Sequence, residues 1–430
     1  MAHNVGMRPL SFALGVVLAT FTSPALAQTN TPAASEDVRA LVERLDLERY
    51  KATIKGLTAF GDRRQGTERN SQANDWIEAQ LRAYGCANVE RLDYTYAPAP
   101  ARGATPTQGA ARGAQTGDAG RGNQPQAARG AAPAAGRGAN PTASGGGRPR
   151  GIRARTGVNN DPNRQPDPEL RALNTPPSVP GPRSEVYCTK IGTTRPDEMY
   201  IVSAHMDGHG WGQAANDNGS GTAIVMELAR VMNSPDVQTE RSIRFVLWNN
   251  EETGLNGSRA YVQQRADLQG REDPPGSGRF PEPRWLGVIQ HDMMLFDHGM
   301  PREDGTVSPE QRPEADVNVE FQVSSKLASQ SQALAWVLQR ANERYATDYP
   351  VSVGSHMTNT DSASFQDLVP SISVRENERG TQIGSGWDPH WHQPTDVFTT
   401  FSDKDFRLGL NAAQTTLGAV AELVGATLRR

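Results

Sequence analysis

The stretch Met199-Tyr-Ile-Val-Ser-Ala-His205-Met-Asp207 carries the strongest structural signal in the chain. Its apolar and β-branched residues predict a buried strand, which ends at a histidine and an aspartate. The polar segment Asn216-Asp-Asn-Gly-Ser-Gly221 follows, and helical periodicity then extends from Thr222 to Met232. This order of a strand, a loop of polar side chains and a helix predicts one unit of an α/β fold.

The alternation of strands and helices continues on both sides of this unit. Further strands are predicted at residues 243–248, 285–290, 317–323 and 371–374, and further helices at 258–264, 327–345 and 404–428. Two helices come earlier, one from Ser35 through Leu47 and one from Asn70 to Gly85. We therefore expect an α/β protein with a mainly parallel central sheet and helices on both faces.

The N-terminus differs from the rest of the chain. Arg8 precedes an apolar run from Leu10 to Phe21, and Ala27 ends an Ala-x-Ala sequence. The run is shorter than the ~20 residues that span a membrane, which argues against the alternative of a membrane anchor. Residues 1–27 are therefore predicted to be a cleaved signal peptide, and the mature protein, beginning near Gln28, is expected to be secreted or periplasmic.

A second unusual segment interrupts the predicted fold. Residues 97–183 are rich in Ala, Gly, Pro and Arg, and the part from 98 to 155 has nine arginines and one aspartate, in a chain whose formal net charge is −4. Such a segment buries too little apolar surface to offset its ordering entropy, so it is predicted to be a mostly disordered insert. A single catalytic domain would then comprise residues 28–96 and 184–430. The insert offers weak contact with polyanions, but without aromatic residues it does not indicate specific nucleic-acid binding.

The two cysteines, Cys86 and Cys188, lie beside predicted strands. If those strands pair in antiparallel fashion, the start of one lies opposite the end of the other. In an exported protein the cysteines could form a disulfide. Two buried thiols are the alternative, and the sequence leaves the choice open.

Polar residues follow several predicted strands at the edge where ligands bind in open α/β sheets. These residues are His205-Met-Asp207, Glu251-Glu252 and His291-Asp292; Asp217 lies in a loop between two of the strands, and His390-Trp-His392 comes late in the chain. Imidazole and carboxylate ligands together suit zinc, and an acid-rich set suits two ions bridged by one carboxylate. Any one of these residues alone would more often be an ordinary loop residue, so the inference depends on their coincidence.

Five motifs together resemble those of the M28 family of zinc metallopeptidases, which includes two-zinc aminopeptidases and carboxypeptidase Q. They are Ala204-His-Met-Asp207, Asn216-Asp-Asn-Gly-Ser-Gly221, Glu251-Glu-Thr-Gly-Leu-Asn-Gly-Ser258, His291-Asp292 and His392-Gln-Pro-Thr-Asp396. The resemblance covers the chain apart from the N-terminal segment and the insert. It implies two zinc ions per chain.

The resemblance also implies roles for individual residues. Asp217 would bridge the two metals, His205 and Asp292 would complete one site, and Glu252 and His392 would complete the other. Glu251 would be the general base. Asp207 is expected to orient the His205 imidazole as a supporting carboxylate, and Asp396 to do the same for His392.

The expected function is that of an exported exopeptidase that hydrolyses peptide bonds at the N-terminus of peptides, through a metal-bound hydroxide with Glu251 as base. A carboxypeptidase-Q-like dipeptidase is the main alternative, and Arg375 and Arg379 are then candidates to bind a substrate C-terminus. A glutaminyl cyclase and an inactive binding module are further alternatives. Both are disfavoured by the complete ligand set.

Several positions depart from the family pattern or compete with it. Trp391 stands where relatives often have a tyrosine that assists the oxyanion, and Ser362 replaces a histidine after Asp361, which is expected to brace the site wall. Among the remaining histidines, His390 is less favoured as a ligand than His392, His209 is interpreted as a loop residue, and structural roles are expected for His291, His298 and His356.

Overall fold

The computed structural model of the protein describes residues 1, 34–98, 158–296, 317–346, 348–355, 360–376 and 388–430. Apart from Met1, the predicted signal peptide lies outside the described residues, as do residues 99–157 of the predicted insert and His298, His356 and Arg379. Residues from Ala34 to Arg430 belong to one unit. Among the helices in the described ranges, none has both the length and the apolar character needed to cross a membrane.

The first three helices each begin directly after a polar side chain that caps them. Ser35, Asp46 and Thr67 each accept a hydrogen bond from a backbone N–H of the following turn, which satisfies one of the donors that a helix start leaves open. The described helices are α1 (Glu36–Val42), α2 (Leu47–Thr58), α3 (Glu68–Ala83), α4 (Pro168–Asn174), α5 (Gly221–Met232), α6 (Asn256–Arg265), α7 (Ala328–Tyr345) and α8 (Asp403–Leu423).

The strands form a large central sheet and a small two-stranded ribbon. They are β1 (Val89–Tyr96), β2 (Gly181–Lys190), β3 (Arg195–His205), β4 (Val237–Gln238), β5 (Arg241–Trp248), β6 (Arg284–His291), β7 (Val317–Glu320), β8 (Val351–Gly354), β9 (Ser371–Arg375) and β10 (Thr427–Leu428). The central sheet has eight strands in the order β1-β2-β5-β3-β6-β9-β7-β8. Its four middle strands, β5, β3, β6 and β9, run parallel. The predicted fold class is therefore confirmed.

Alternate residues of the middle strands enter two apolar layers. On β3, Val202 and Ala204 belong to a layer shared with α1, α2, α5, α7 and α8. Met199 and Ile201 belong to a second layer, which α6 and the segment 361–369 help to cover. This period of two matches the geometry of a strand buried on both faces, and it fixes which polar residues emerge at the strand ends.

Some predicted boundaries differ from the structure. The helix predicted from Ser35 through Leu47 ends at Val42. A second helix begins at Leu47, where Asp46 caps it by accepting a hydrogen bond from the Arg49 N–H at 2.9 Å. The closing helix ends at Leu423 rather than at residue 428. Gly425 has a left-handed φ of 64°, which reverses the chain and lets Thr427 and Leu428 pair with β4.

The predicted insert extends too far towards the C-terminus. Residues 158–183 fall within its predicted range, yet they contain a 3₁₀ turn at Pro162–Arg164, helix α4 and the start of β2. Leu170 and Asn174 of α4 are buried against the domain. The sequence does not distinguish residues 158–183 from the low-complexity segment before them. The buried contacts of residues 158–183 are made largely by Asn and Gln side chains, so they leave no apolar pattern.

Strands β1 and β2 pair in antiparallel fashion, with Val89 opposite Cys188. This register brings the Cα atoms of Cys86 and Cys188 to 6.2 Å, and the two residues form a disulfide. The choice that the sequence leaves open is thus decided by strand register.

Candidate metal centre

The four parallel strands direct their carboxyl ends to the same edge of the sheet. Backbone hydrogen bonds from the Met206 N–H to the Trp248 carbonyl, 2.8 Å, and from the Asp292 N–H to the Val374 carbonyl, 3.1 Å, hold adjacent strand ends in line. The residues that follow these strands therefore converge, as expected for an open α/β sheet.

His205, Asp217 and Asp292 form one group of potential metal ligands, which we call the first group. The Nε2 atom of His205 lies 3.4 Å from Oδ1 of Asp217 and 3.4 Å from Oδ1 of Asp292. The His205 Nδ1–H donates to the backbone carbonyl of Asp207 at 3.0 Å, which leaves the Nε2 lone pair facing the carboxylates. This tautomer is the one required of a metal ligand.

His209, Glu252 and His392 form another group, which we call the second group. The His392 Nε2 lies 3.0 Å from Oε2 of Glu252 and 2.9 Å from Oδ2 of Asp217. The His209 Nε2 lies 3.0 Å from the same Glu252 oxygen. The five predicted ligands are thus brought together, and His209, interpreted from the sequence as a loop residue, lies with them.

Asp217 connects the two groups, since Oδ1 faces the first and Oδ2 faces the second. The Asp396 carboxylate holds the backbone at Asp217, because it accepts the Asn216 N–H at 2.8 Å and the Asp217 N–H at 3.1 Å. Burial raises the pKa of Asp217, but its contacts with His205 and His392 outweigh burial and bring the pKa below the usual range. Asp396 therefore supports Asp217 and does not orient His392 as predicted.

Asp207 acts differently from the prediction. Its carboxylate oxygen is 3.9 Å from the His205 Nδ1 atom, which hydrogen-bonds the Asp207 backbone carbonyl instead. The carboxylate accepts the Glu251 N–H at 3.0 Å and the Glu252 N–H at 3.4 Å. It thereby fixes the position of the adjacent glutamates that follow β5.

Glu251 is buried among the other acidic groups of the centre. Burial raises the pKa of its carboxyl group well above the ordinary value; His205 opposes this effect, whereas Glu252, Asp361 and Asp292 add to it. A carboxylate with a raised pKa is a better proton acceptor near neutral pH. Glu252, one residue later, has its pKa lowered to about 2, because the charges of His209 and His392 outweigh burial.

Arg375 is not placed to receive a substrate. Its side chain is only 2% exposed and forms an ion pair of 2.7 Å with Oδ2 of Asp292, the oxygen that faces away from His205. The candidate role of Arg375 in binding a substrate C-terminus is thus not compatible with the structure. A buried guanidinium positions Asp292 instead.

Two histidines and a tryptophan have clear local roles. His291 is buried between the Ser203 carbonyl and the Thr416 hydroxyl, and burial lowers its pKa to about 4, which fits the expected structural role. The Nδ1 atom of His390 hydrogen-bonds the Thr395 hydroxyl at 2.8 Å. The Trp391 ring stacks on the His392 imidazole with centroids 3.9 Å apart.

Asp361 lies behind the centre rather than in it. Gln290 donates to its Oδ2 at 3.2 Å and accepts hydrogen bonds from Ser203 and Trp248. Burial raises the pKa of Asp361 to about 7. This placement is consistent with the expected bracing of the site wall.

Arg63 is a supporting residue that the sequence does not reveal. It is buried and donates to the backbone carbonyls of Met206 at 2.7 Å and of Gln213 and Ala214 at 2.8 Å each. Burial lowers its pKa to about 10, which the charges of nearby aspartates only partly offset. Arg63 thereby joins the end of β3 to the loop that leads to Asp217.

A short strap, residues 159–165, connects the two loops of the second group. The Asn159 N–H donates to the His392 carbonyl at 3.0 Å, and its side chain reaches the Gly210 carbonyl at 3.4 Å. Gln165 donates to the carbonyls of Trp211, 2.7 Å, and Pro394, 3.0 Å. The strap lies within the predicted insert, and only its packing identifies its role.

The donor set suits zinc, which takes nitrogen and oxygen ligands. Three buried atoms of the second group, Nε2 of His209, Oε1 of Glu252 and Nδ1 of His392, have no hydrogen-bond partner among the described residues. Buried polar atoms left in this way are costly unless an ion satisfies them. The residues present therefore fit a divalent cation.

Sequence relatives match a short part of the chain. The aminopeptidase YwaD of Bacillus subtilis is 44% identical over 74 residues, which are 17% of this chain and 16% of that protein. Carboxypeptidase Q of Xenopus laevis is 34% identical over 73 residues, again 17% and 16% of the two chains. The chain thus aligns with about one sixth of the length of these curated relatives.

The fold is shared with a solved zinc aminopeptidase from Bacillus subtilis, BSAP, at a TM-score of 0.54 and 16% identity, over 88% of this chain and 95% of that one. At this identity the likeness concerns the fold alone. The profile of peptidase family M28 matches residues 186–414, more than half of the chain and the region that supplies every potential ligand described above. The chain therefore belongs to peptidase family M28.

Proposed function

We propose that the protein is an exopeptidase that uses two zinc ions and removes residues from the N-terminus of peptides. The observation that carries the proposal is the pair of ligand groups joined by the two oxygens of Asp217. When bound, two zinc ions polarise the scissile carbonyl and lower the pKa of the attacking water. The relatives named aminopeptidase and carboxypeptidase Q support this class of reaction.

In this proposal Glu251 moves the proton. Its buried carboxylate accepts a proton from the attacking water and delivers it to the leaving amine, and its raised pKa suits both steps. Asp207 holds the Glu251 backbone at the rim of the two groups through the N–H contact of 3.0 Å. Trp391 stacks on His392. It has no hydroxyl group, whereas relatives often have a tyrosine at this position that assists the oxyanion.

Recognition of a free substrate amine is favoured over recognition of a carboxylate. The centre is lined by carboxylates, and Arg375, a candidate cation for binding a C-terminus, is paired with Asp292. A dipeptidase is the second candidate, because carboxypeptidase Q is among the relatives matched. The complete pair of ligand groups does not favour a glutaminyl cyclase or an inactive binding module.

Export is part of the proposal. The apolar N-terminal segment ending at Ala27 supports it, and so does the disulfide between Cys86 and Cys188, since disulfides persist in oxidising compartments. We also propose that the Arg-rich insert binds polyanions weakly, and we expect peptides to be the main partners.

The test compares wild type with Glu251→Gln on leucine anilide, N-acetylated leucine anilide and a leucyl dipeptide. We expect wild type to cleave only the substrates with a free amine, and the variant to lose about 10²–10⁴-fold in kcat while keeping its zinc. A matched control, Glu240→Gln, alters a surface glutamate paired with Arg195 and should leave kcat unchanged. Full activity in Glu251→Gln would reject the mechanism, and cleavage of the dipeptide alone would favour the dipeptidase.

A further inference from the structure

His209 lies in a segment that brings its side chain deep into the centre. It sits between Gly208 and Gly210, four residues after His205, and only 13% of its side chain is exposed. Its ring lies edge-on to the His392 ring, with centroids 4.0 Å apart. Two imidazoles and one carboxylate, that of Glu252, therefore meet on the same side of Asp217.

The distances within this group suit ligands of one ion. The Glu252 Oε2 atom is 3.0 Å from Nε2 of both His209 and His392. Two ligands of a tetrahedral zinc ion at ~2.0–2.1 Å are roughly 3.3 Å apart, so only small shifts are needed. The His209 Nε2 nevertheless makes no hydrogen bond within the described part of the chain, although it is buried and close to a carboxylate. Two ligand atoms that each direct a lone pair at the same metal ion would lie close together without being aligned for a hydrogen bond to each other.

The backbone around His209 is built for this close approach. A Cβ atom on Gly210 would lie 2.4 Å from the carbonyl carbon of His392, and the φ of Gly210 is +98°. A Cβ atom on Gly208 would lie 2.8 Å from the Asp217 carbonyl oxygen. Only glycine allows both contacts. Asn159 then ties the Gly210 carbonyl to the backbone of His392.

The two groups differ in how strongly they can bind an ion. In the first group, Asp292 shares its charge with Arg375 through the ion pair of 2.7 Å, and Asp217 supplies much of the remaining charge. The second group has two histidines and a glutamate even without Asp217. Two histidines and one glutamate are a sufficient set of protein ligands for a catalytic zinc ion.

We infer that His209 is a ligand of the metal held by Glu252 and His392, and that this site binds its ion independently of the bridging Asp217. The inference rests on the proposed zinc-dependent function, which it deepens. The second group then fills first when zinc is limiting. It also keeps its ion when Asp217 is replaced.

The test is metal binding, measured by chelator competition with Zn²⁺ and by the absorption spectrum of the Co²⁺-loaded protein. Wild type should bind two ions per chain, and Asp217→Asn should keep one. His209→Asn should weaken the tighter of the two sites by at least about 10-fold, and the double variant His209→Asn/Asp217→Asn should bind neither ion tightly. His390→Asn is the matched control, because it removes a nearby histidine that hydrogen-bonds Thr395, and both affinities should stay at the wild-type values.

Unfolding of each metal-free variant in guanidinium separates loss of a ligand from loss of fold, and His209→Gln provides a second variant of similar size. The inference is overturned if His209→Asn and His209→Gln keep the wild-type affinity for Zn²⁺ at both sites. A change in KM for the peptide without a change in Zn²⁺ affinity would overturn it too. It is also overturned if Asp217→Asn loses both ions. Absence of tight zinc binding in wild type would instead reject the proposed function, so the two failures are distinguishable.

Discussion

At the scale of single residues, the supporting carboxylates act mainly on backbone rather than on imidazoles. Asp207 accepts the N–H groups of Glu251 and Glu252, and Asp396 accepts those of Asn216 and Asp217. The motifs containing these aspartates are recognisable from the sequence. Which atoms they contact depends on the path of loops that are far apart in the chain.

Asp207→Asn provides a prediction at this scale. The carboxylate has two oxygens that accept hydrogen bonds from the Glu251 and Glu252 N–H groups, whereas the asparagine amide has only one. The amide NH₂ group repels the N–H group that it faces. We expect kcat/KM to fall about 10–100-fold and the affinity of the second group for zinc to fall, while the first group is less affected. Steady-state kinetics and chelator competition measure both effects.

Asp405→Asn is the matched control for this change, because Asp405 also accepts a backbone N–H, that of Ser402, but lies at the start of α8. It should lower stability without changing zinc affinity. A selective loss of zinc from the first group of Asp207→Asn would mean that the carboxylate acts on His205 after all.

At the scale of elements, the long periodic segments follow the sequence prediction closely and the short connections do not. Helices α5 and α7 and strands β3 and β5 differ from prediction by a few residues at most, because their apolar periodicity is strong. Helix α2 is not predicted as a separate element, since its start depends on the Asp46 cap. The loop from Asp62 to Gln65 gives no signal in the sequence, yet it carries Arg63.

Arg63→Met tests the role of that loop. The change removes the side-chain donor from the carbonyls of Met206, Gln213 and Ala214. The Ala214 carbonyl keeps the Gly219 N–H at 2.9 Å, so the main loss is at the buried Met206 carbonyl and the part-buried Gln213 carbonyl. We expect the free energy of unfolding of the metal-free protein to fall by about 3–5 kcal/mol, as when a buried charged contact is broken. Guanidinium unfolding monitored by circular dichroism measures this quantity.

Arg82→Met is the corresponding control. Arg82 pairs with Glu78 on the surface of α3, and 54% of its side chain is exposed. Its loss should cost less than about 1 kcal/mol. Equal losses for the two variants would show that the carbonyls at Arg63 are satisfied in another way.

At the scale of the whole molecule, the disulfide and the sheet join segments on either side of the insert. Cys86 and Cys188 are separated by 102 residues, and β1 pairs with β2 along its full length. β1 therefore ends and β2 begins at the same end of a cross-linked pair of strands, with Tyr96 opposite Gly181. The strap, which lies within the predicted insert, contacts the loops of the metal centre directly.

The double variant Cys86→Ser/Cys188→Ser tests the contribution of this cross-link. Removing it increases the freedom of the unfolded chain, so the free energy of unfolding should fall by about 2–5 kcal/mol. Reductant should shift the unfolding of wild type towards that of the variant and leave the variant unchanged. Insensitivity of wild type to reductant, with complete reduction of its cysteines, would contradict the prediction.

The fold class, the family resemblance and the potential metal ligands can all be read from the amino-acid sequence. Apolar strands are readable from local pattern, and polar residues at the ends of parallel strands meet at one edge of the sheet. His205, Asp217 and Glu252 can be named from motif and strand-end position together, whereas Asp292 and His392 depend more on the family resemblance. Their spacing within motifs carries the information.

Four features are visible only in the folded chain: the disulfide, the ion pair of Arg375, the strap at Asn159 and the position of His209. Each of these depends on contacts between segments that lie far apart in sequence. His209 is the clearest case: its neighbours in the chain are two glycines, and only the approach of the His392 backbone to Gly210 places it beside Glu252. Local pattern contains no information on such an approach, because packing between loops sets it.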